Sequence, residues 1–236
     1  MVPSTVRAAL ADQPVSGAVC LEAGAGVGNT TVGLLDAGAE RVYAITDDAA
    51  HARTTRERVG VDERAAVLEA DLCATPLPAD SVDLVTAHGL CNVLAPAALD
   101  AVLAEFARVA APGARLLVND YDPLPTGARM RDVVAVENAA HELAFGEAAL
   151  TFYPARHLRR LCEGWGWAFE RERTLLEPVP WTSQHVRAHL GAARDAARAL
   201  DGGVAAGLRE DVARLDADVE SEDAGRMYGL AFRRPA

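Results

Sequence analysis

Ala18-Val19-Cys20-Leu21-Glu22-Ala23-Gly24-Ala25-Gly26-Val27-Gly28-Asn29-Thr30-Thr31 is the stretch whose reading decides the fold. It begins as a short apolar run, the pattern of a strand buried on both faces. The run ends in a carboxylate, Glu22, and passes into glycines at alternate positions, Gly24, Gly26 and Gly28. Beyond them Val32, Leu34 and Leu35 have helix-compatible spacing, and Ala37-Gly38-Ala39-Glu40 is a stop signal. Strand, glycine turn and helix together open a nucleotide-binding α/β fold. Glycine lets the backbone take positive φ there and lets a ligand approach without a Cβ in the way. The free N–H groups at the helix start suit a ligand's polar end.

Spacing selects among ligands. A dinucleotide fingerprint reads G-x-G-x-x-G, but Asn29 stands at the place of its third glycine, and the acid Glu22 comes before the turn. Both features argue against an NAD-dependent oxidoreductase. A second strand, Arg41 to Thr46, ends in Asp47-Asp48. An acid about 20 residues beyond the glycines is what such a site needs for ribose hydroxyls. Asp48 has a competing role as the cap of the next helix, so Asp47 is the ribose candidate. A third strand, Ala65 to Ala70, ends in Asp71-Leu72. A fourth, Val82 to Ala87, ends in His88, and a fifth, Ala114 to Val118, ends in Asn119-Asp120-Tyr121. The C-terminal ends of parallel strands carry the ligand site, which puts His88, Asn119 and Tyr121 on the active face.

The acid followed by A-G-x-G-x-G resembles motif I of the class I S-adenosylmethionine-dependent methyltransferases. The run holding Asp71, Leu77, Pro78, Asp80 and Asp83 is similar to that family's G-D-x-x-x-L-P-x-x-D-x-x-F-D-x-V pattern. Arg108 to Leu117 resembles its R-V-x-x-P-G-G-R-L-L junction, with Ala114 at the second glycine. The likeness covers about Gly17 to Asp120, and more loosely Tyr153 to Leu176 and a last strand near Met227 to Arg234. It implies a Rossmann-like, doubly wound, mostly parallel sheet of seven strands in the order 3-2-1-4-5-7-6, the last antiparallel, and S-adenosylmethionine as cofactor. By the same resemblance the turn of Gly24, Ala25, Gly26 and Gly28 passes under the methionine part. Glu22 holds the turn and the amino group, Asp71 accepts from the adenine amine, and Leu72 meets the ring. The family's ribose acid falls at Thr46, so Asp47 stands one residue late. The amino-methyltransferase signature, Asn or Asp followed by Pro-Pro and an aromatic, is absent after the fourth strand.

Residues 1–236 are read as a single domain, with residues 14–123 as the cofactor-binding core and residues 124–152 and 178–224 as helical, substrate-side insertions. His141 follows Glu137 by four residues on a helix expected from about Gly127 to Phe145, so the two share a face. Trp181 is placed to wall a small-molecule pocket. His88 is the candidate base, or else a polar residue lining the cofactor pocket. Residues 216–223 form an acidic run read as solvated surface.

The formal net charge is -11 and all 23 basic residues are arginine. An acidic surface is a poor match to a nucleic-acid backbone. Acidic, lysine-free and alanine-rich, the chain resembles proteins of salt-adapted organisms with GC-rich genomes, where screening tolerates self-repulsion. Cys20, Cys73, Cys91 and Cys162 are scattered and form no C-x-x-C pair, so they read as buried thiols of a reducing cytoplasm, not as a metal site. No apolar run approaches a membrane span, and the start lacks a secretory layout. The expected function is methyl transfer by in-line displacement to a small-molecule acceptor in the cytoplasm, with neither nucleic acid nor membrane as partner and a homodimer left open. The alternatives are a methyltransferase acting on RNA or protein, and a catalytically silent S-adenosylmethionine-binding module.

Overall fold

The apolar run of the opening stretch becomes β1 (Val19–Ala23), with all but its first residue buried. In this computed structural model, which describes residues 1–236, β1 is an interior strand of a seven-stranded sheet. It pairs in parallel with β2 (Arg41–Thr46) on one side and β4 (Val82–His88) on the other. β3 (Ala65–Glu69) extends the sheet beyond β2, and β5 (Ala110–Tyr121) extends it beyond β4, both in parallel. The last strand, β9 (Met227–Arg233), runs antiparallel between β5 and β6 (Ala168–Leu176). The order β3-β2-β1-β4-β5-β9-β6 is the one expected from the sequence, with β9 as the seventh strand of the sheet.

The helices cover both faces, and each covers the sheet through its apolar stripe. On one face α4 (Pro96–Val109) and α6 (Ala155–Gly164) bury Leu99, Phe106 and Leu158 against Leu21, Leu116 and Phe232. On the other, α1 (Ser4–Leu10) and α2 (Asn29–Asp36) pack Val6, Leu10 and Leu34 on Cys20, Leu84 and Leu117. Gly33 permits that helix contact: a Cβ there would lie 2.8 Å from Val6 Cγ1. α3 (Ala49–Val59) follows β2, and Asp48 caps it, accepting from the N–H groups of Ala50 at 2.7 Å and His51 at 2.8 Å. Asp48→Ala is expected to lower stability by removing the cap, read as a lower urea midpoint at unchanged slope. An unchanged midpoint would show that the cap contributes nothing net.

A separate apolar cluster joins α5 (Arg129–Phe145), α7 (Ser183–Ala197) and α8 (Gly202–Asp218) over the C-terminal end of β5 and the N-terminal end of β9, with Met130, Trp181, Leu190 and Met227 inside it. No helix is long and apolar enough to cross a membrane.

Two features differ from the sequence expectation. β5 begins at Ala110 rather than Ala114. Ala110 pairs with Val82 across a register irregularity, and Gly113, at φ 84°, lets the strand kink instead of ending. Residues 216–223 are also not all solvated surface. Glu222 and Asp223 form β8 (Glu222–Asp223), paired with β7 (Pro180–Trp181). The Glu222 carboxylate accepts from the N–H groups of Arg129 at 3.0 Å and Met130 at 2.7 Å. It therefore caps the start of α5, which has no side-chain cap from its own N-cap residue, Ala128.

Candidate active site

The glycine turn joins β1 to α2 and is bonded to β2 beside it. The N–H groups of Gly24 and Ala25 both donate to Ile45 O at 2.9 Å. Gly24 sits at φ 72°, and a Cβ on it would come within 2.8 Å of Leu90 Cδ1, so the turn and the chain after β4 lie too close for a side chain. Gly26, at φ 52°, is different: the nearest atom to a Cβ there is 3.9 Å away. The space over Gly26 is open, and no protein acceptor takes the N–H groups of Gly26 and Val27. This is a cradle with donors to spare.

Glu22 faces the first turn of α2 and accepts a hydrogen bond from the Thr31 hydroxyl. It is 3% exposed. Burial pushes its carboxyl up to about 7, against the lowering effect of hydrogen bonds from Thr31 and Thr30.

At the end of β2 the three candidate partners for a ribose have different occupations. Thr46 is buried, and its hydroxyl accepts from the Asp48 N–H at 3.2 Å. Asp48 is engaged as the cap of α3. Asp47 is exposed and makes no hydrogen bond in the protein, so its carboxylate is the free one. Past the end of β3, Asp71 is exposed and uses one oxygen to accept from the Cys73 N–H at 2.8 Å. Its other oxygen is free, and the Leu72 side chain turns into the core. Because β1, β2 and β3 are neighbours in the sheet, the glycine turn, Asp47 and Asp71 lie along one edge.

His88 is the last residue of β4. Its Nδ1 is buried with no hydrogen-bond partner, and burial lowers its pKa to about 4, so the ring is neutral at pH 7 and weakly basic. It lines a cavity of about 280 Å3. Three rings form much of the wall: Trp181 lies 5.7 Å from Tyr121 and 6.3 Å from Phe152, and Tyr121 lies 6.2 Å from Phe152. Asn92 lines it too, held from beneath by Asp120, which accepts from the Asn92 N–H at 3.1 Å and Nδ2 at 2.9 Å. Burial pushes the Asp120 carboxyl up to about 6. His185 and His189, on α7, close the cavity on another side.

Of the residues expected on the substrate side, His88, Tyr121 and Trp181 meet in this cavity. Asn119 does not reach it. It is 3% exposed within β5, its carbonyl accepts from the Gly89 N–H at 2.7 Å, and its side chain packs against Gly229 of β9. Its place in the strand turns it into the sheet. His141 lines a neighbouring cleft of about 580 Å3, which shares Leu150 and His189 with the cavity. Glu137 turns inward, and its Oε2 lies 2.7 Å from His189 Nδ1. His185, His189, Phe152 and Asn92 were not singled out from the sequence. A signal for the histidines was present: His185 and His189 stand four residues apart, on one face of the helix that follows Trp181. No group of three or more His, Cys, Asp or Glu side chains is placed to hold a metal ion.

Residues 21–118, which include the glycine turn and Asp71, match the family model described as a methyltransferase domain. An uncharacterized methyltransferase of Geobacillus thermodenitrificans is 30% identical over 105 residues, 44% of this chain and 47% of that protein. The match thus spans about half the length of that relative. Among solved structures, a candidate methyltransferase from Bacillus halodurans superposes with a TM-score of 0.69 at 13% identity, covering 99% of this chain and 100% of that one. Geranyl diphosphate C-methyltransferase from Streptomyces coelicolor superposes with a TM-score of 0.63 at 15% identity, covering 98% of this chain and 78% of that one. The open cradle at Gly26 and the free carboxylate oxygens of Asp47 and Asp71 offer donors and acceptors of the kind that S-adenosylmethionine needs. Residues 21–118 thus match a methyltransferase domain, the sheet has the strand order expected of the class I fold, and S-adenosylmethionine is the cofactor that the site fits.

Proposed function

We propose that the protein transfers a methyl group from S-adenosylmethionine to a small-molecule acceptor. The observation that carries this reading is the position of the aromatic cavity. It opens at the C-terminal ends of β4 and β5, next to the glycine turn after β1, and at about 280 Å3 it suits a small molecule rather than a polymer. When bound, the cofactor supplies an electrophilic methyl on a sulfonium. The chain's own work is to hold and aim. Glu22 fixes the turn, Gly26 leaves room over it, and Asp47 and Asp71 grip the nucleoside. Tyr121, Phe152 and Trp181 orient the acceptor, so that proximity and alignment supply much of the rate. The helices of residues 124–152 and 178–224 act as the substrate-side cover that excludes water. His88 serves as a neutral polar wall.

The deciding measurement is calorimetric titration with S-adenosylmethionine, S-adenosylhomocysteine and NAD, in dilute buffer and in molar potassium chloride. Micromolar or tighter binding of an adenosyl ligand, with none of NAD, is expected. A folded protein that binds neither adenosyl ligand in either buffer would overturn the reading. The same pair of buffers tests salt adaptation. With a net charge of -11, screening of self-repulsion is expected to raise the melting temperature in molar salt. A flat or falling response would remove that part.

A further inference from the structure

We propose that His189, held by Glu137, is the base that takes a proton from the acceptor, and that the acceptor is an uncharged, planar molecule bearing a hydroxyl group. This deepens, and rests on, the methyl-transfer reading. His189 stands where the aromatic cavity and the neighbouring cleft join, since it lines both. Its ring lies 6.2 Å from that of Trp181. Its Nδ1 is 2.7 Å from Oε2 of Glu137, a side chain only 7% exposed. A carboxylate can only accept, so Nδ1 carries the proton, and in the neutral ring it is Nε2 that keeps the lone pair. A base oriented through its second nitrogen by a buried carboxylate is the arrangement that activates hydroxyl nucleophiles elsewhere. Once Nε2 is protonated, the imidazolium is stabilised by a charge-assisted hydrogen bond to Glu137.

The other histidine of the cavity lacks this support. His88 Nδ1 has no partner, and burial acts on the ring unopposed. The remaining titratable groups around the cavity and cleft are Tyr121 from β5, His185 from α7, His141 from α5 and Glu147 just beyond it. None of them hydrogen-bonds to His189.

The lining sets the acceptor class. Neither cavity nor cleft is lined by an arginine, and the chain has no lysine, so an acceptor's carboxylate or phosphate would find no cation there. Three aromatic rings offer faces and edges to a flat, apolar body. A neutral amine attacks through an existing lone pair, whereas a hydroxyl gains most from losing its proton as it attacks. In the step, the acceptor O–H bond breaks and its proton passes to His189 Nε2. The oxygen's electron pair forms the O–CH3 bond as the S–CH3 bond breaks and leaves its pair on sulfur. The products are a methyl ether, S-adenosylhomocysteine and an imidazolium that returns its proton to water.

The test uses 4-nitrophenol, whose ionised form is coloured, added to the full chain saturated with S-adenosylhomocysteine. The bound probe is expected to show about a tenfold higher ionised fraction than the free probe at the same pH below neutrality, equivalent to about one pKa unit. In His189→Ala and in the volume-keeping His189→Gln, both checked for unchanged melting temperature, the probe should still bind and the gain should vanish. Glu137→Gln should reduce the gain and, with any accepted phenol, lower kcat with KM little changed. Benzoate should bind at least tenfold more weakly than the phenol. The proposal is overturned by an equal gain in the His189 variants, by benzoate binding as tightly as the phenol, or by no phenol binding at all while S-adenosylhomocysteine binds. Failure of S-adenosylhomocysteine itself to bind would instead bring down the methyl-transfer reading beneath it.

Discussion

Asp71→Ala is expected to weaken S-adenosylhomocysteine binding about 10- to 100-fold, the loss of one hydrogen bond to a charged group worth ~1.5–3 kcal/mol. The site behind this expectation is simple. Asp71 lies just past the end of β3, exposed, with one carboxylate oxygen committed to the Cys73 N–H at 2.8 Å and the other unused. In the proposed site the unused oxygen would accept from the adenine amine. The committed oxygen shapes the turn that carries Leu72. Asp71→Asn separates the two roles. An asparagine keeps an acceptor for Cys73 but presents an NH2 donor where the carboxylate accepted, so donor would meet donor. Asparagine should therefore lose nearly as much affinity as alanine, while urea midpoints stay close to wild type for both. Wild-type affinity in Asp71→Asn would mean that the residue only builds the turn, and the adenine partner would have to be sought elsewhere.

The glycine turn and the acids near the strand ends were legible in the sequence because they are local. Strand, turn and helix lie within residues 18–36, and Asp47 and Asp71 stand within two residues of the ends of β2 and β3. Period and turn chemistry alone place such groups at one end of a parallel sheet. The substrate side is not local. Glu137 and His189 are 52 residues apart and meet only because α5 and α7 pack together. Glu222 caps α5 from 93 residues beyond Arg129. No spacing rule reaches across such distances. Asn119 shows the opposite failure. Its strand was right, but it stands two residues short of the strand end, on the same face as Tyr121, where it is buried with its side chain against Gly229 of β9. Asp120, the next residue, is the one whose side chain reaches the cavity floor through Asn92. The histidine stripe of α7 could have been read by period. A helix on an excursion beyond the recognisable core, however, gives no indication of which face meets the site.

Glu22→Gln is expected to raise stability at pH 8 and to weaken the cofactor at the same time. The folded-state carboxyl titrates at about 7 against an unfolded value near 4.5. A raised pKa means that the folded chain binds the proton more tightly than the unfolded one. The stability this group contributes is therefore fully present below pH 4.5 and is lost as pH rises through about 7. The difference amounts to about 3 kcal/mol. Asp120, raised to about 6, pulls in the same direction, and His88, lowered to about 4, pulls in the opposite one between pH 4 and its unfolded 6.5. Both are shared by wild type and variant and cancel in the comparison. Glutamine keeps an acceptor for the Thr31 hydroxyl and removes the titration. Its urea-denaturation stability should lie closest to wild type, or below it, near pH 5, and should gain on it steadily up to pH 8. Parallel curves across that range would show that Glu22 does not titrate there. The expected loss in cofactor affinity follows from the same charge: a buried anion beside the turn attracts the ammonium of S-adenosylmethionine, and a neutral amide does not. The chain would then be holding a carboxylate where folding disfavours it because binding requires it, an instance of stability given up at a functional site.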